Sequence, residues 1–196
     1  KVTQMKYKGI IFDLDGVICS TDRYHYHAWK KIAELIDVDF DEKFNDRFRG
    51  VCREECLKML LEKSGRKFSG EEKKELLKRK NDYYRQMLSQ MTADDVDIEV
   101  KSTLDKLREK GMLLGIGSSS KNARLILAQI DMKDYFDAVC DGNDISRSKP
   151  DPEVFIRTAN LLGLSPDQCL IVEDAQSGIE AATAGGFDSA GIGAAG

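Results

Sequence analysis

Three short polar clusters, each directly after an apolar run, carry residue types that can transfer phosphate. Asp13 and Asp15 follow the first run, Ser118 follows the second, and Glu173 with Asp174 follows the third. An aspartate that attacks phosphorus forms an acyl phosphate, and a second carboxylate can protonate the leaving oxygen. Asp13, at the end of its run, is therefore the expected nucleophile, and Asp15 the expected general acid and base.

The carboxylates of these clusters also predict a bound cation. Two carboxylates about 4 Å apart repel by roughly 4 kcal/mol at an effective dielectric of about 20, so either some are protonated or a cation lies among them. Oxygen ligands favour Mg²⁺, which also binds phosphate oxygens. Ser118 and the N–H groups after it, which we expect to open a helix, would bind the phosphate, and Lys149 would add positive charge.

The elements that must position these clusters are short strands separated by helices. Apolar runs at residues 7–12, 112–117, 138–140 and 170–172 predict four strands. Helical patterns separate the second, third and fourth of these strands. Strands that alternate with helices form a parallel sheet, and sites form at the carboxyl ends of its strands. The sequence therefore predicts an α/β fold with a Rossmann-like parallel sheet whose polar clusters converge.

An all-helical stretch interrupts this α/β pattern after its first strand. Apolar residues recur at helical spacing from about residue 20 to residue 96, and Ser69 with Glu72 forms a capping-box pattern. We therefore predict a core domain of residues 1–19 and 97–196 and an inserted α-helical domain of residues 20–96.

Composition narrows the classes of partner. The 196 residues are 41% hydrophobic and 33% charged, with a net charge of −4. This balance indicates a folded protein and argues against a nucleic-acid or membrane-surface partner. The basic stretch from Lys73 to Lys80 is interpreted as one solvated helix face. No apolar run approaches the roughly 18 residues of a membrane span.

The cysteine pattern favours reduced thiols over a metal site. Five cysteines are scattered without a CxxC pair, and the chain has two histidines. Such a pattern is not typical of zinc sites or disulfide frameworks. The amino-terminal residues also lack a secretory apolar segment. We therefore expect a cytoplasmic protein. Separately, we expect a monomer that acts on a small molecule, although the sequence does not fix the oligomeric state.

Taken together, the motifs resemble those of the haloacid dehalogenase-like superfamily. Asp13-Leu14-Asp15-Gly16-Val17 is similar to its first motif, Ser118 to the second, Lys149-Pro150 to the third, and Glu173-Asp174 to the fourth. The helical insertion resembles the small cap of the sugar phosphomutases in this superfamily. Residues 24–29, 50–54 and 78–82 carry that second resemblance.

The resemblance implies a cycle between β-glucose 1-phosphate and glucose 6-phosphate through the 1,6-bisphosphate. Asp13 would be phosphorylated and Asp15 would move protons. Mg²⁺ would be held by Asp13, the main-chain carbonyl of Asp15, Glu173 and Asp174. Closure of the cap would exclude water. Two alternatives stay open: a phosphatase of small phosphate monoesters and a non-catalytic protein that binds metal or phosphate.

The resemblance also implies the groups that bind substrate. Ser118, the Ser119 backbone and Lys149 would hold the transferring phosphoryl group. Arg53 would bind the other phosphate. Ser120, Lys121 and Asn122 would help Arg53 to bind that phosphate. The groups near the sugar would be His25, Lys80, Trp29 and Gly50. Thr21 would be a hinge residue.

Each of four cap residues has a structural alternative. His25 could be a polar group on a helix surface, Trp29 could pack within the cap, Arg53 could be a surface charge, and Lys80 could belong to the charged helix face. The chain also departs from the family pattern at two places. Residues 97–99 replace the usual Pro-Gly turn, which would alter the second hinge, and Ser119 replaces a common alanine, which we expect to be benign.

Overall fold

The computed structural model describes residues 6–48 and 51–193. The chain divides into two compact units. One unit, here the sheet unit, joins the residues up to Ser20 with those from Met91 onward, and the other, the helical unit, spans Thr21–Gln90. The sequence-based boundaries at residues 19/20 and 96/97 fall close to these divisions.

The sheet unit alternates strands and helices. Its strands are β1 (Gly9–Phe12), β2 (Leu113–Gly117), β3 (Ala138–Cys140), β4 (Cys169–Glu173) and β5 (Asp188–Gly191). Its helices are α5 (Ile98–Glu109), α6 (Ala123–Gln129), α7 (Glu153–Leu162) and α8 (Gln176–Ala184), with 3-10 turns at Ala93–Asp95 and Pro166–Gln168. The α/β prediction is confirmed.

All paired strands are parallel, in the order β3-β2-β1-β4-β5. The chain adds β2 and β3 on one side of β1 and then returns to add β4 and β5 on the other side. A sheet of this kind has its crevice where the order reverses, outside the carboxyl ends of β1 and β4. All four β1 residues are buried, because helices cover both faces of a central parallel strand.

Strand β5 was not predicted. Its residues, Asp188–Gly191, contain no β-branched or aromatic side chain and show no apolar run. It forms by pairing with β4, from Leu170 opposite Asp188 to Glu173 opposite Gly191. Tertiary pairing rather than local propensity therefore sets this strand.

The helical unit contains α1 (Asp22–Leu35), α2 (Glu42–Asn45), α3 (Arg53–Ser64) and α4 (Gly70–Leu88), with a 3-10 turn at Asp46–Phe48. The predicted capping box starts α4: Ser69 Oγ accepts from Glu72 N at 3.2 Å, and Glu72 Oε2 accepts from Ser69 N at 2.7 Å. Apolar stripes of α1, α3 and α4 form this unit's own core. No helix among the described residues is long and apolar enough to span a membrane.

Candidate active site

The first aspartate of the sequence motif lies at the topological switch point. Asp13 directly follows β1, and its backbone N–H donates to Val172 O of β4 at 3.0 Å. Glu173 is the last residue of β4, and both side chains are buried. Parallel pairing of β1 with β4 therefore places these two carboxylates at the same edge of the sheet.

Three carboxylates converge there. Asp13, Glu173 and Asp174 each offer an oxygen, and these oxygens lie within 4.8 Å of one another. Strand order thus brings together side chains that are about 160 positions apart in the chain. Hard oxygen donors at this spacing are the ligand type that Mg²⁺ takes in proteins, so the donor set fits that ion.

Lys149 is the cation that the structure itself supplies to this cluster. Its Nζ lies 2.5 Å from Asp13 Oδ1 and 2.6 Å from Glu173 Oε1. Burial lowers the pKa of Lys149, but the two carboxylates outweigh it and raise the pKa above its ordinary value. Lys149 is therefore charged, and its positive charge lies where a phosphoryl group would approach Asp13.

One ammonium does not neutralise three carboxylates. Burial, and then the Glu173 charge, raise the pKa of Asp13, while Lys149 lowers it. Burial, Asp13 and Glu173 raise the pKa of Asp174 to about 6. Asp174 is therefore protonated more readily than an ordinary aspartate, and a further cation at the cluster would oppose that protonation.

Two glycines allow the acidic side chains to pack closely. A Cβ at Gly16, where φ is +88°, would lie 2.0 Å from Asp174 Oδ2, and a Cβ at Gly178 would lie 1.9 Å from Glu173 Oε1. Glu173 is further fixed by Ala175 N, which donates to its Oε2 at 2.9 Å. Substitution of either glycine would displace a carboxylate of the cluster.

Asp15 lies beside the cluster and outside the group of three. It is half-buried, and the turn that carries it is closed by Gly16 N donating to Cys19 O at 2.7 Å. Cys19 in turn bridges to Val96, so the segments that leave and re-enter the sheet unit pair with each other. The acid/base role of Asp15 and its main-chain contact to a metal stay predictions.

The loop from Ser118 to Asn122, here the β2–α6 loop, differs from the sequence-based expectation. The helix does not open at Ser118, because α6 begins at Ala123 with Asn122 as its N-cap. Serine side chains bond the loop's own amides instead: Ser118 Oγ accepts from Ser120 N and Ser120 Oγ accepts from Asn122 N, both at 3.2 Å. Such local bonds compete with helix formation.

Two hydrogen bonds hold this loop at the carboxyl edge of the sheet. Buried Ser118 donates its N–H to Cys140 O at 3.1 Å. Lys149 N donates to Ser119 Oγ at 3.4 Å, which joins the second and third motifs. An alanine at position 119 would lack that contact, so the hydroxyl has a structural use that the sequence did not reveal.

In the helical unit, half-buried His25 pairs with buried Lys80. Lys80 Nζ lies 2.7 Å from His25 Nδ1, and the His25 ring stacks on Tyr84 at 4.1 Å between centroids. Burial, then Lys80 and Arg53, keep the pKa of His25 well below 6.5. The imidazole is therefore neutral, with Nδ1 accepting from the ammonium and the proton on Nε2.

This pair corrects one interpretation of the sequence. The charged residues from Lys73 to Arg79 are exposed, but Lys80 is only 3% exposed, so the last residue of the stretch does not belong to a solvated face. Its ammonium also lies over the rings of Trp29 and Tyr84, 5.1 and 4.8 Å from their centroids. The alternative of a solvated Lys80 is wrong, whereas His25 is half-buried against Lys80 and Tyr84.

The remaining predicted residues of this unit have different surroundings. Trp29 is buried and meets Phe48 edge to face at 5.4 Å, which fits the packing alternative. Arg53 is half-buried at the start of α3; its Nε lies 3.9 Å from Glu54 Oε1 and makes no hydrogen bond within the described residues. Thr21 Oγ1 accepts from Tyr84 Oη at 3.0 Å. Gly50 lies outside the described residues.

The sequence analysis did not predict the structural roles of two residues, Tyr84 and Asp97. Tyr84 was treated only as an apolar stripe residue, yet it contacts His25, Lys80 and Thr21. Asp97 does more than replace a Pro-Gly turn, because its Oδ1 accepts from Glu99 N at 2.7 Å and caps α5. The capping signal is visible in the sequence as an aspartate just before a helical pattern.

Comparison with known proteins decides the family. The family model for haloacid dehalogenase-like hydrolases matches residues 10–192. The chain belongs to this family. It is 40% identical over 188 residues to β-phosphoglucomutase of Bacillus subtilis (strain 168), covering 95% of this chain and 83% of that protein.

Two further relatives of this haloacid dehalogenase-like chain bear on its activity. It is 28% identical to the phosphorylated carbohydrates phosphatase of Thermotoga maritima, covering 92% of this chain and 82% of that protein. Its fold matches a crystal structure of β-phosphoglucomutase from Clostridium difficile with a TM-score of 0.85 and 37% identity, covering 95% of this chain and 85% of that one. Proteins named as a mutase and as a phosphatase thus both match nearly the whole of this chain.

Proposed function

We propose that the protein is a β-phosphoglucomutase, an isomerase that interconverts β-D-glucose 1-phosphate and D-glucose 6-phosphate. The observation that carries the proposal is the cluster of Asp13, Glu173 and Asp174 around the Lys149 ammonium at the switch point. The 40% identity to a β-phosphoglucomutase over 95% of the chain favours the mutase over other phosphoryl-transfer reactions.

In the proposed cycle, Asp13 carries the phosphoryl group between two sugar oxygens. Phosphorylated Asp13 gives its phosphoryl group to the 6-hydroxyl of β-glucose 1-phosphate, and Asp15 accepts the hydroxyl proton. Free Asp13 then attacks the 1-phosphate of the bisphosphate, the bond from phosphorus to O1 breaks, and Asp15 returns the proton to O1. The phosphoryl group and the proton are thus conserved over one turnover.

Asp13, Glu173, Asp174 and the Asp15 carbonyl would hold Mg²⁺. The ion, when bound, neutralises carboxylate charge and polarises the transferring phosphoryl group. Lys149 lies within hydrogen-bond distance of the nucleophile and would keep that charge balanced as an anionic substrate approaches. Ser118 and the Ser119 backbone would bind the oxygens of the transferring phosphoryl group, and Ser120, Lys121 and Asn122 would help Arg53 to bind the other phosphate.

The helical unit would supply the groups for the remainder of the substrate. Arg53 has an Nε without a hydrogen bond in the described structure, which suits it to bind the second phosphate through its guanidinium. His25, with Lys80 Nζ 2.7 Å from its Nδ1, would lie near the sugar, as would Lys80. Thr21 would act as the hinge residue at the start of α1.

We further propose that the protein is cytoplasmic and monomeric. All five cysteines are free in the structure, as in proteins of reducing compartments. The proposed partner is a small sugar phosphate, with no nucleic acid and no membrane. Size-exclusion chromatography with light scattering checks the oligomeric state, and a dimer mass would overturn that part of the proposal.

A product assay tests the function directly. The protein is incubated with Mg²⁺, a trace of β-glucose 1,6-bisphosphate and either β- or α-glucose 1-phosphate, and glucose 6-phosphate and free phosphate are followed together. The proposal predicts glucose 6-phosphate from the β anomer alone. Release of inorganic phosphate without glucose 6-phosphate would instead establish the phosphatase, which the Thermotoga maritima relative favours.

A further inference from the structure

Tyr84 is buried on α4 and contacts three residues to which the proposed function gives a role. Its ring stacks on the His25 imidazole, with the two centroids 4.1 Å apart and the planes at 22° to each other. The Lys80 ammonium lies over the same ring, 4.8 Å from its centroid. Tyr84 Oη donates to Thr21 Oγ1 at 3.0 Å. The proposed cycle itself gives Tyr84 no role.

These contacts follow from the spacing of residues on two packed helices. Helix α1 packs against α4. His25 and Trp29 lie four residues apart on α1, and such a pair shares one face of a helix. Lys80 and Tyr84 have the same spacing on α4. Lys80 reaches both members of the α1 pair, and Tyr84 covers the ring of the first, so His25 lies between two groups of α4.

The Tyr84 ring restricts where the two polar groups can lie. Removing an ammonium from water is costly unless other groups replace that water, and the negative face of an aromatic ring is one such group. Stacking on Tyr84 also fixes the plane of the imidazole, in which Nδ1 accepts from Lys80 Nζ at 2.7 Å. One ring therefore sets both the position of the Lys80 ammonium and the plane of His25.

The ring and the hydroxyl of Tyr84 have different partners. The ring contacts His25 and Lys80, whereas the hydroxyl donates to Thr21. A phenylalanine at this position would keep the ring and lose only the hydrogen bond. Substitution can therefore separate the two contributions.

We propose that Tyr84 is a positioning residue for the sugar of the substrate. It touches no reacting atom; its ring holds His25 and Lys80 in the arrangement that binds the sugar. The inference rests on the proposed function, which assigns His25 and Lys80 to the surroundings of the sugar.

The experiment compares two reactions of the same variants. The first is mutase turnover of β-glucose 1-phosphate with Mg²⁺ and a trace of the bisphosphate, which requires a bound sugar. The second is phosphorylation of Asp13 by acetyl phosphate with Mg²⁺. In that reaction the phosphoryl group moves from the acetyl oxygen to the Asp13 carboxylate and acetate leaves, so no sugar is bound.

Tyr84→Leu removes the ring. It should lower mutase kcat/KM about tenfold, mainly through KM, because displaced His25 and Lys80 side chains lose hydrogen bonds to the sugar. Phosphorylation by acetyl phosphate should stay within about twofold of wild type, since that donor presents no sugar. Tyr84→Phe keeps the ring, and its mutase kcat/KM should be within about twofold of wild type.

Tyr83→Leu is the matched control. Tyr83 precedes Tyr84 on α4, is half-buried against the core of the helical unit and has the Lys31 ammonium 4.8 Å from its ring centroid. The change therefore removes a tyrosine ring and a cation–π contact from the same helix while leaving the Tyr84 ring in place. Its mutase kcat/KM should stay within about twofold of wild type.

Tyr84→Met keeps the proposal testable if Tyr84→Leu does not fold. Methionine is unbranched and fills irregular space in a core, but it has no ring to hold His25 and Lys80, so the same loss of about tenfold is expected. In a Lys80→Met background, removal of the Tyr84 ring should cost less than it does in the wild type, because part of its effect passes through that ammonium.

Three results would each overturn the proposal. The first is wild-type mutase kcat/KM in a folded variant that lacks the Tyr84 ring. The second is a loss in Tyr83→Leu equal to that in Tyr84→Leu. The third is a loss of about tenfold in Tyr84→Phe, which would assign the effect to the hydroxyl rather than the ring.

This failure is distinct from failure of the proposed function. If the wild-type protein releases only inorganic phosphate from β-glucose 1-phosphate, the mutase proposal fails, and the KM of that hydrolysis in the same variants tests the positioning role. If the wild type and Tyr84→Leu make glucose 6-phosphate with the same KM and kcat, only the positioning role fails.

Discussion

Asp174→Asn should stabilise the metal-free protein at high pH. Burial and the Asp13 and Glu173 charges raise the pKa of Asp174 from 3.8 to about 6. A carboxyl with a raised pKa contributes stability that is fully present below pH 3.8 and is lost as pH rises through 6. An asparagine carries no charge at any pH, so the variant avoids this loss.

The magnitude follows from the pKa difference. A rise of about 2 pKa units corresponds to a ceiling of about 3 kcal/mol at 1.36 kcal/mol per unit. Because Asp174 is partly exposed, solvent screening reduces this to about 1.5 kcal/mol. For a chain of this length, that difference raises Tm by about 3 to 6 °C.

The assay is thermal unfolding with a chelator at pH 4 and pH 8. The variant should melt higher than wild type at pH 8, and the difference should largely disappear at pH 4. Mg²⁺ at about 100 times its Kd should add about 2.7 kcal/mol to the wild type and much less to the variant, which reverses the order. Asp134→Asn, at an exposed acidic residue outside the cluster, is the control. Equal melting of wild type and Asp174→Asn at pH 8 without metal would refute the reasoning.

Three further predictions concern proton transfer, substrate binding and pH. Asp15→Asn should bind Mg²⁺ as wild type does in calorimetry, since only its main chain is a proposed ligand, but should lose turnover by at least about 100-fold; wild-type turnover would contradict the acid/base role. Arg53→Ala should lower mutase kcat/KM by at least about tenfold while leaving phosphorylation by acetyl phosphate unchanged, because a charge-assisted contact to the second phosphate is lost; unchanged mutase kinetics would count against that contact. Because the pKa of His25 lies well below 6.5, stability should be full above pH 6.5 and fall as pH decreases, in denaturant titrations; His25→Gln should flatten this slope, and an identical slope would assign it to other groups.

Much of the active site could be predicted because polar residues directly follow buried strands. Asp13 comes after β1 and Glu173 ends β4, and parallel strands end at the same edge of a sheet. The start of α4 was predictable for a similar reason, since the Ser69 and Glu72 capping box is local in sequence.

Features that depend on distant contacts could not be predicted. The buried Lys80 ammonium donates a hydrogen bond to Nδ1 of His25, 55 positions earlier. Nothing in the basic run from Lys73 distinguishes that lysine from its neighbours. The late start of α6 depends on serine hydroxyls that bond loop amides rather than cap a helix. Tyr84 looks like any apolar residue of the α4 stripe until its stacking on His25 is seen.

The account depends most on Asp13 capturing a phosphoryl group beside a bound divalent ion. The most direct measurement is tandem mass spectrometry of the protein after brief incubation with β-glucose 1,6-bisphosphate, with and without Mg²⁺. We predict one phosphoryl group on Asp13, present only with Mg²⁺, and a loss of at least about 10⁴-fold in turnover for Asp13→Asn. A phosphoryl group on another residue, or equal labelling without the metal, would contradict the account.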